Sequence, residues 1–171
     1  MGYRLALLAR LALVAPAILL GAVLGGCGKE IGDACSVATD CSTSGDRLCS
    51  LINAPDGYCT IQGCDYSTCP DEAACIRFFT GSFANKPCTQ ATAATDCSRD
   101  ELCSLAGQCV ARSSEVRYCM RTCGSDGDCR DGYECRDVEK MKAHGGEPVL
   151  APGTTLENSD LPSFCAAAPS G

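Results

Sequence analysis

Seventeen cysteines in 171 residues constrain this chain more than any other feature. The count is odd, and an odd thiol in an exported chain has to be accounted for. Cys27 stands apart, at the end of an N-terminal apolar run. Without it sixteen remain, enough for eight bridges: Cys35, Cys41, Cys49, Cys59, Cys64, Cys69, Cys75, Cys88, Cys97, Cys103, Cys109, Cys119, Cys123, Cys129, Cys135 and Cys165. Their pairing is open, since sixteen cysteines allow about two million connectivities. Bridges need an oxidising compartment, and each stabilises by restricting the unfolded chain, typically by ~2–4 kcal/mol.

The N-terminal run explains Cys27. Arg4 and Arg10 precede Leu11 to Leu24, fourteen uncharged and almost wholly apolar residues. As a helix these would reach about 21 Å, short of the ~30 Å hydrocarbon core. A basic start, a short apolar stretch and small residues before a cut are the marks of a signal peptide. Leu24-Gly25-Gly26-Cys27 resembles the lipobox of bacterial lipoproteins. That resemblance implies cleavage between Gly26 and Cys27, a diacylglycerol on the Cys27 sulfur and a further acyl chain, such as palmitate, on its amine. Two or three chains anchor stably where one does not. In the same family an Asp after the cysteine retains the protein in the inner membrane, so Gly28 implies the outer membrane.

Cleavage would leave 145 residues. The fourteen Lys and Arg, less two in the leader, against 21 Asp and Glu give this part a charge of −9. Such an acidic surface argues against nucleic acid and anionic lipid as partners. With no Trp and only eight Phe and Tyr after the leader, the chain can bury only a thin core, and small exported domains of this kind rely on covalent staples.

An internal repeat is visible. Thr39-Asp40-Cys41-Ser42 recurs as Thr95-Asp96-Cys97-Ser98, Leu48-Cys49-Ser50-Leu51 as Leu102-Cys103-Ser104-Leu105, and Gly57-Tyr58-Cys59 as Gly107-Gln108-Cys109. The expected organisation is a signal peptide (1–26), a lipidated N-terminus and linker (27–32), cysteine-rich modules over 33–85 and 86–168, and a tail (169–171). The modules hold seven and nine cysteines, both odd, so complete pairing requires a bridge across the boundary; Cys64 or Cys75 with Cys88 is the expected crossing. The fold class is a small disulfide-rich protein: two tandem modules of short β-hairpins and loops with little regular structure. Ile76–Thr80 and Val116–Met120 are the best strands. Ala54-Pro55-Asp56-Gly57 and Arg130-Asp131-Gly132 read as turns. Ser98, with Glu101 three residues on, is expected to cap one helical turn. The cysteine-free stretch 136–164, rich in Gly and Pro, is expected to be a loose loop tied back by Cys165, with Cys135 as its candidate partner, and the residues after Cys165 to be frayed.

Candidate chemistry is sparse. No C-x-x-C occurs, which removes thioredoxin-like and c-type haem motifs and the usual zinc pairs. Asp126, Asp128, Asp131 and Asp137 crowd one loop, but Gly132 is seventh from Asp126 and Asp137 occupies the twelfth position, out of register for a calcium loop. His144, the single histidine, is the one possible imidazole base, with no G-x-S-x-G or H-E-x-x-H near it. No catalytic residue, metal or cofactor is expected.

The Thr-Asp-Cys strings, and Asp126-Gly127-Asp128-Cys129-Arg130-Asp131-Gly132-Tyr133-Glu134-Cys135, resemble the cysteine-rich lipoproteins of myxobacteria and related soil bacteria. The resemblance implies a membrane-tethered, disulfide-stabilised envelope protein that binds an unknown envelope partner or serves structurally. Two alternatives are a protease inhibitor with a rigid loop and, from another class, a hydrolase using His144.

Overall fold

The computed structural model describes residues 28–81, 85–156 and 160–169. The leader, Cys27, residues 157–159 of the long loop and residues 170–171 of the tail lie outside the described residues. All sixteen cysteines beyond Cys27 form eight disulfides among themselves. They fall into four quartets with one pairing rule, first to third and second to fourth. Unit 1 pairs Cys35–Cys49 and Cys41–Cys59. Unit 2 pairs Cys64–Cys75 and Cys69–Cys119. Unit 3 pairs Cys88–Cys103 and Cys97–Cys109, and unit 4 pairs Cys123–Cys135 and Cys129–Cys165.

One local design carries each quartet. The third and fourth cysteines face each other across an antiparallel ladder: Cys49 and Cys59 between β1 (Leu48–Ser50) and β2 (Tyr58–Thr60), Cys75 and Cys119 between β3 (Ala73–Phe79) and β6 (Glu115–Arg121). Cys103 and Cys109 do the same between β4 (Glu101–Cys103) and β5 (Cys109–Ala111), as do Cys135 and Cys165 between β7 (Tyr133–Arg136) and β9 (Phe164–Ala167). Directly opposed residues share a sheet face, so both sulfurs reach back to the loop that precedes the hairpin. That loop holds one helical turn in unit 1, α1 (Ala38–Cys41), and in unit 3, α2 (Ala93–Asp96), and a polar side chain ties it. Asp40 accepts from Ser36 N (2.8 Å) and Val37 N (3.1 Å). Asp128 accepts from Gly124 N and Ser125 N at 2.9 and 2.8 Å, and the Thr68 hydroxyl accepts from Asp65 N at 2.8 Å. Short polar residues favour such turns because they satisfy backbone donors locally.

Unit 2 is split. Its chain leaves after β3, builds all of unit 3, and returns as β6, which pairs with β3 over seven residues in register from Ala73 with Arg121 to Phe79 with Glu115. The bridge crossing the 85/86 boundary is therefore Cys69–Cys119; Cys64 and Cys75 are joined to each other, and Cys88 closes within unit 3. Cys165 likewise takes Cys129, with Cys135 as its ladder neighbour and not its partner. Both expected strands are present and longer than the apolar stretches that announced them.

Two small cores fill the space between units. Ile31, Tyr58, Cys64, Cys75, Cys119 and Tyr133 form one; Ile76, Met141, Phe164 and Ala166 form the other. Ile31 is fully buried, so residues 28–32 are part of the folded body and not a linker. Tyr58 joins three units: its hydroxyl donates to Cys165 O (3.2 Å) and accepts from Arg121 N (2.9 Å). Its ring lies 5.4 Å from that of Tyr133, over which the Arg130 guanidinium sits at 4.1 Å. Burial pushes the Tyr58 phenol well above its usual range.

The described part of the stretch 136–164 is more ordered than its composition implies. It opens with α3 (Val138–His144), capped by Asp137, which accepts from Lys140 N at 2.9 Å. Met141 enters the second core, and β8 (Glu147–Pro148) adds a third strand beside β3. Ala166 and Ala167 continue β9 instead of fraying. Glu101 does bond back to Ser98 N (2.8 Å), but the turn it closes leads into β4 and not into a helix.

Candidate functional site

His144 sits at the last residue of α3, where Gly145, at φ 82°, ends the helix. Its Nδ1 lies 2.7 Å from Glu134 Oε1, which also accepts from Arg136 Nε at 2.9 Å. Arg136 then donates from Nη1 to the carbonyls of His144 and Gly145, both at 2.9 Å, and from Nη2 to Ala167 O at 2.8 Å. A carboxylate that orients an imidazole is half of a nucleophile-activating constellation. Here the same carboxylate is shared with an arginine that locks β7, the end of α3 and β9 together, and every cysteine among the described residues is in a disulfide. The arrangement holds a fold junction.

Three of the four aspartates of the Asp126–Asp137 loop have separate tasks, and the fourth, Asp131, is exposed. Asp126 accepts from Lys140 Nζ (2.7 Å) and Cys135 N (2.8 Å), Asp128 ties the turn before Cys129, and Asp137 caps α3. The Lys140 bond holds Asp126 below the usual carboxylate range, and the Gly124 and Ser125 amides do the same for Asp128. In unit 1 the Ser36 and Val37 amides lower Asp40. In unit 3 the Ser98 amide, helped by Lys86, pulls Glu101 down to about 2. A carboxyl whose pKa is lower folded than unfolded binds more protons when unfolded, so its stabilisation is present above the unfolded value and lost as pH falls. Unfolding midpoints in guanidinium are therefore expected to drop between the ordinary Glu value of 4.5 and about 2, and Glu101→Gln to flatten part of that drop. Glu147 runs the other way. It is buried, bonded to Arg77 Nε (2.7 Å) and to Leu105 N, yet burial outweighs the arginine and pushes its carboxyl up. Its contribution is greatest in acid and declines as pH rises through that raised value.

Two open clefts mark the surface. One, of about 380 Å³, runs between the unit 2 loop and residues 148–154, 160 and 162 and includes Tyr66, Ala74, Pro148, Leu150 and Pro162. The other, of about 570 Å³, lies on unit 1, where Lys29, Ser36, Asp40, Leu51 and Asp56 line it. Leu51 in this lining is 62% exposed, and two chain neighbours of lining residues are exposed apolar side chains as well: Ile52 at 81% and Val37, next to Ser36, at 55%. Leu51 and Ile52 form the tip of the β1–β2 hairpin, which turns through Asn53 at φ 51°. No C-x-x-C or base motif points to this tip; its trace in the sequence is the uncharged run Leu48 to Pro55.

No family model, no curated protein and no solved structure is similar to this chain. The architecture itself is that of a disulfide-stabilised module of extracellular type: eight bridges, short antiparallel hairpins and few helical turns.

Proposed function

We propose that this protein is a lipid-anchored module of the bacterial cell envelope, tethered through Cys27 to the outer membrane, and that it acts by binding or structural contact and not by catalysis. The observation that carries the proposal is the cysteine accounting. Sixteen sulfurs close on one another within four units, which leaves Cys27 with no cysteine of its own chain to pair with and free to carry acyl chains. Bridged hairpins also suit recognition, because loops held in place lose little entropy when a partner docks.

Intact mass of the native protein is expected to show acyl chains on Cys27, and Cys27→Ser is expected to move the protein from the detergent phase to the aqueous phase. A native chain with an unmodified Cys27 thiol would contradict the anchor. The catalytic alternative rests on His144 as base; His144→Ala is expected to leave the envelope phenotype of a null strain fully complemented, and loss of complementation by a folded, anchored variant would favour an enzyme.

A further inference from the structure

The short tether and the exposed hairpin tip together say how the protein sits. Cys27 is two residues from Lys29, and consecutive Cα atoms are about 3.8 Å apart, so the anchored residue lies within roughly 8 Å of Lys29. Lys29 is held in the folded body by its Nζ bond to Ala34 O (2.7 Å) and lines the same cleft as Leu51 and Ser36. Little chain separates the lipid from the fold: Ile31, two residues beyond Lys29, is fully buried. Acyl chains on Cys27 therefore bring the unit 1 cleft to the headgroup layer whatever the rest of the molecule does.

We propose that the β1–β2 hairpin tip, Leu51 and Ile52 with Val37 beside the same cleft, inserts into the lipid interface that holds the Cys27 acyl chains. This rests on the anchor at Cys27. The occupant is the bilayer, because the length of free chain permits little else to lie next to this face. The chemistry agrees. Leu48 to Pro55 carries no charge and, unlike the equally uncharged hairpin of unit 3, exposes two large aliphatic side chains. Ile31 and Ile76 are fully buried while Ile52 is 81% exposed, so this isoleucine contributes nothing to the core. Apolar side chains placed at the headgroup boundary sink ~5–10 Å into it. Because the surface is net negative, the lipid it suits is zwitterionic and not anionic.

The chain contains no tryptophan, so a single one reports cleanly. Ile52→Trp, expressed with its leader and purified acylated, is reconstituted into phosphatidylcholine–phosphatidylethanolamine vesicles; Leu51→Trp repeats the measurement should the first variant misfold, and Ala106→Trp, on the unit 3 hairpin, is the control. The expected result is blue-shifted emission at position 52, quenched by bromine-labelled acyl chains, with water-like, unquenched emission at position 106. Water-like emission at positions 51 and 52 in a sample whose mass shows acyl chains on Cys27 would overturn the membrane contact while leaving the anchor intact. A blue shift that appears only when envelope proteins are added would overturn it in favour of a protein partner. A mass without acyl chains would remove the anchor, and the contact with it.

Discussion

Gly57→Ala is expected to be among the most damaging single substitutions in the protein. Gly57 has φ 67°, and a Cβ there would lie 2.0 Å from the carbonyl oxygen of Cys35 and 2.9 Å from Cys49 Sγ. Both neighbours belong to the first bridge of unit 1, and one of them is backbone, so neither can swing aside. The left-handed backbone alone costs about 1–2 kcal/mol for an alanine. The collision adds to it and takes the total past the ~4 kcal/mol that marks exceptional substitutions. Gly45 isolates the backbone share: its φ is 81°, with nothing within 4 Å of its Cβ position. Gly107, the counterpart of Gly57 in unit 3, meets Cys88 O at 3.3 Å. Yields of thiol-free monomer and guanidinium midpoints should rank the alanine variants Gly45 above Gly107 above Gly57. A Gly57→Ala protein as stable as Gly45→Ala would mean that the hairpin does not pass over Cys35 as described.

Replacing Cys69 and Cys119 together by alanine is expected to cost more than removing Cys64–Cys75, the other bridge of unit 2. The two are 50 residues apart, against 11 for Cys64 and Cys75 in the same unit. Loop-closure entropy gives about 4 kcal/mol for the first and about 3 kcal/mol for the second. Unit 3 lies inside the longer loop and its own bridges shorten the effective length, so about 4 kcal/mol is an upper figure. The variant should also expose unit 3 to proteolysis, because Cys69–Cys119 is the covalent return that closes unit 2 around it. Denaturant unfolding of the two double variants, compared without reductant, provides the measurement. Equal losses would show that chain entropy does not set the order.

How much of this was legible from the residues depends on the length scale. Composition and turn chemistry act locally, and the local features are where the sequence pointed: the apolar stretches at Ile76 and Val116 became β3 and β6, and Gly57 and Gly132 both adopt positive φ. The fourfold rule was half visible. First-to-third separations are nearly constant at 14, 11, 15 and 12, whereas second-to-fourth separations run 18, 50, 12 and 36. The first set is fixed by a loop and one strand. The second depends on how far the chain travels before it returns, which no local propensity encodes. A repeat search keyed to whole modules thus finds units 1 and 3, whose returns are short, and misses that units 2 and 4 are the same device with insertions. The order in the described part of 136–164 is hidden from the sequence for a related reason. Two large apolar residues, Val138 and Met141 in α3, are too few to make a periodicity, yet the one that is buried, Met141, suffices to dock a short helix on a small core. The Glu134–Arg136–His144 junction shows the same limit: its alternating residues on β7 meet the helix end only once α3 has turned back.

Peptide mapping of the native protein without reduction tests the central claim most directly. The account predicts eight cystine peptides, each joining first to third or second to fourth cysteine of a quartet, with Cys69 linked to Cys119, Cys129 linked to Cys165, and Cys27 found in an acylated N-terminal peptide. Cys27 in a disulfide, or Cys69 joined within 33–85, would contradict it.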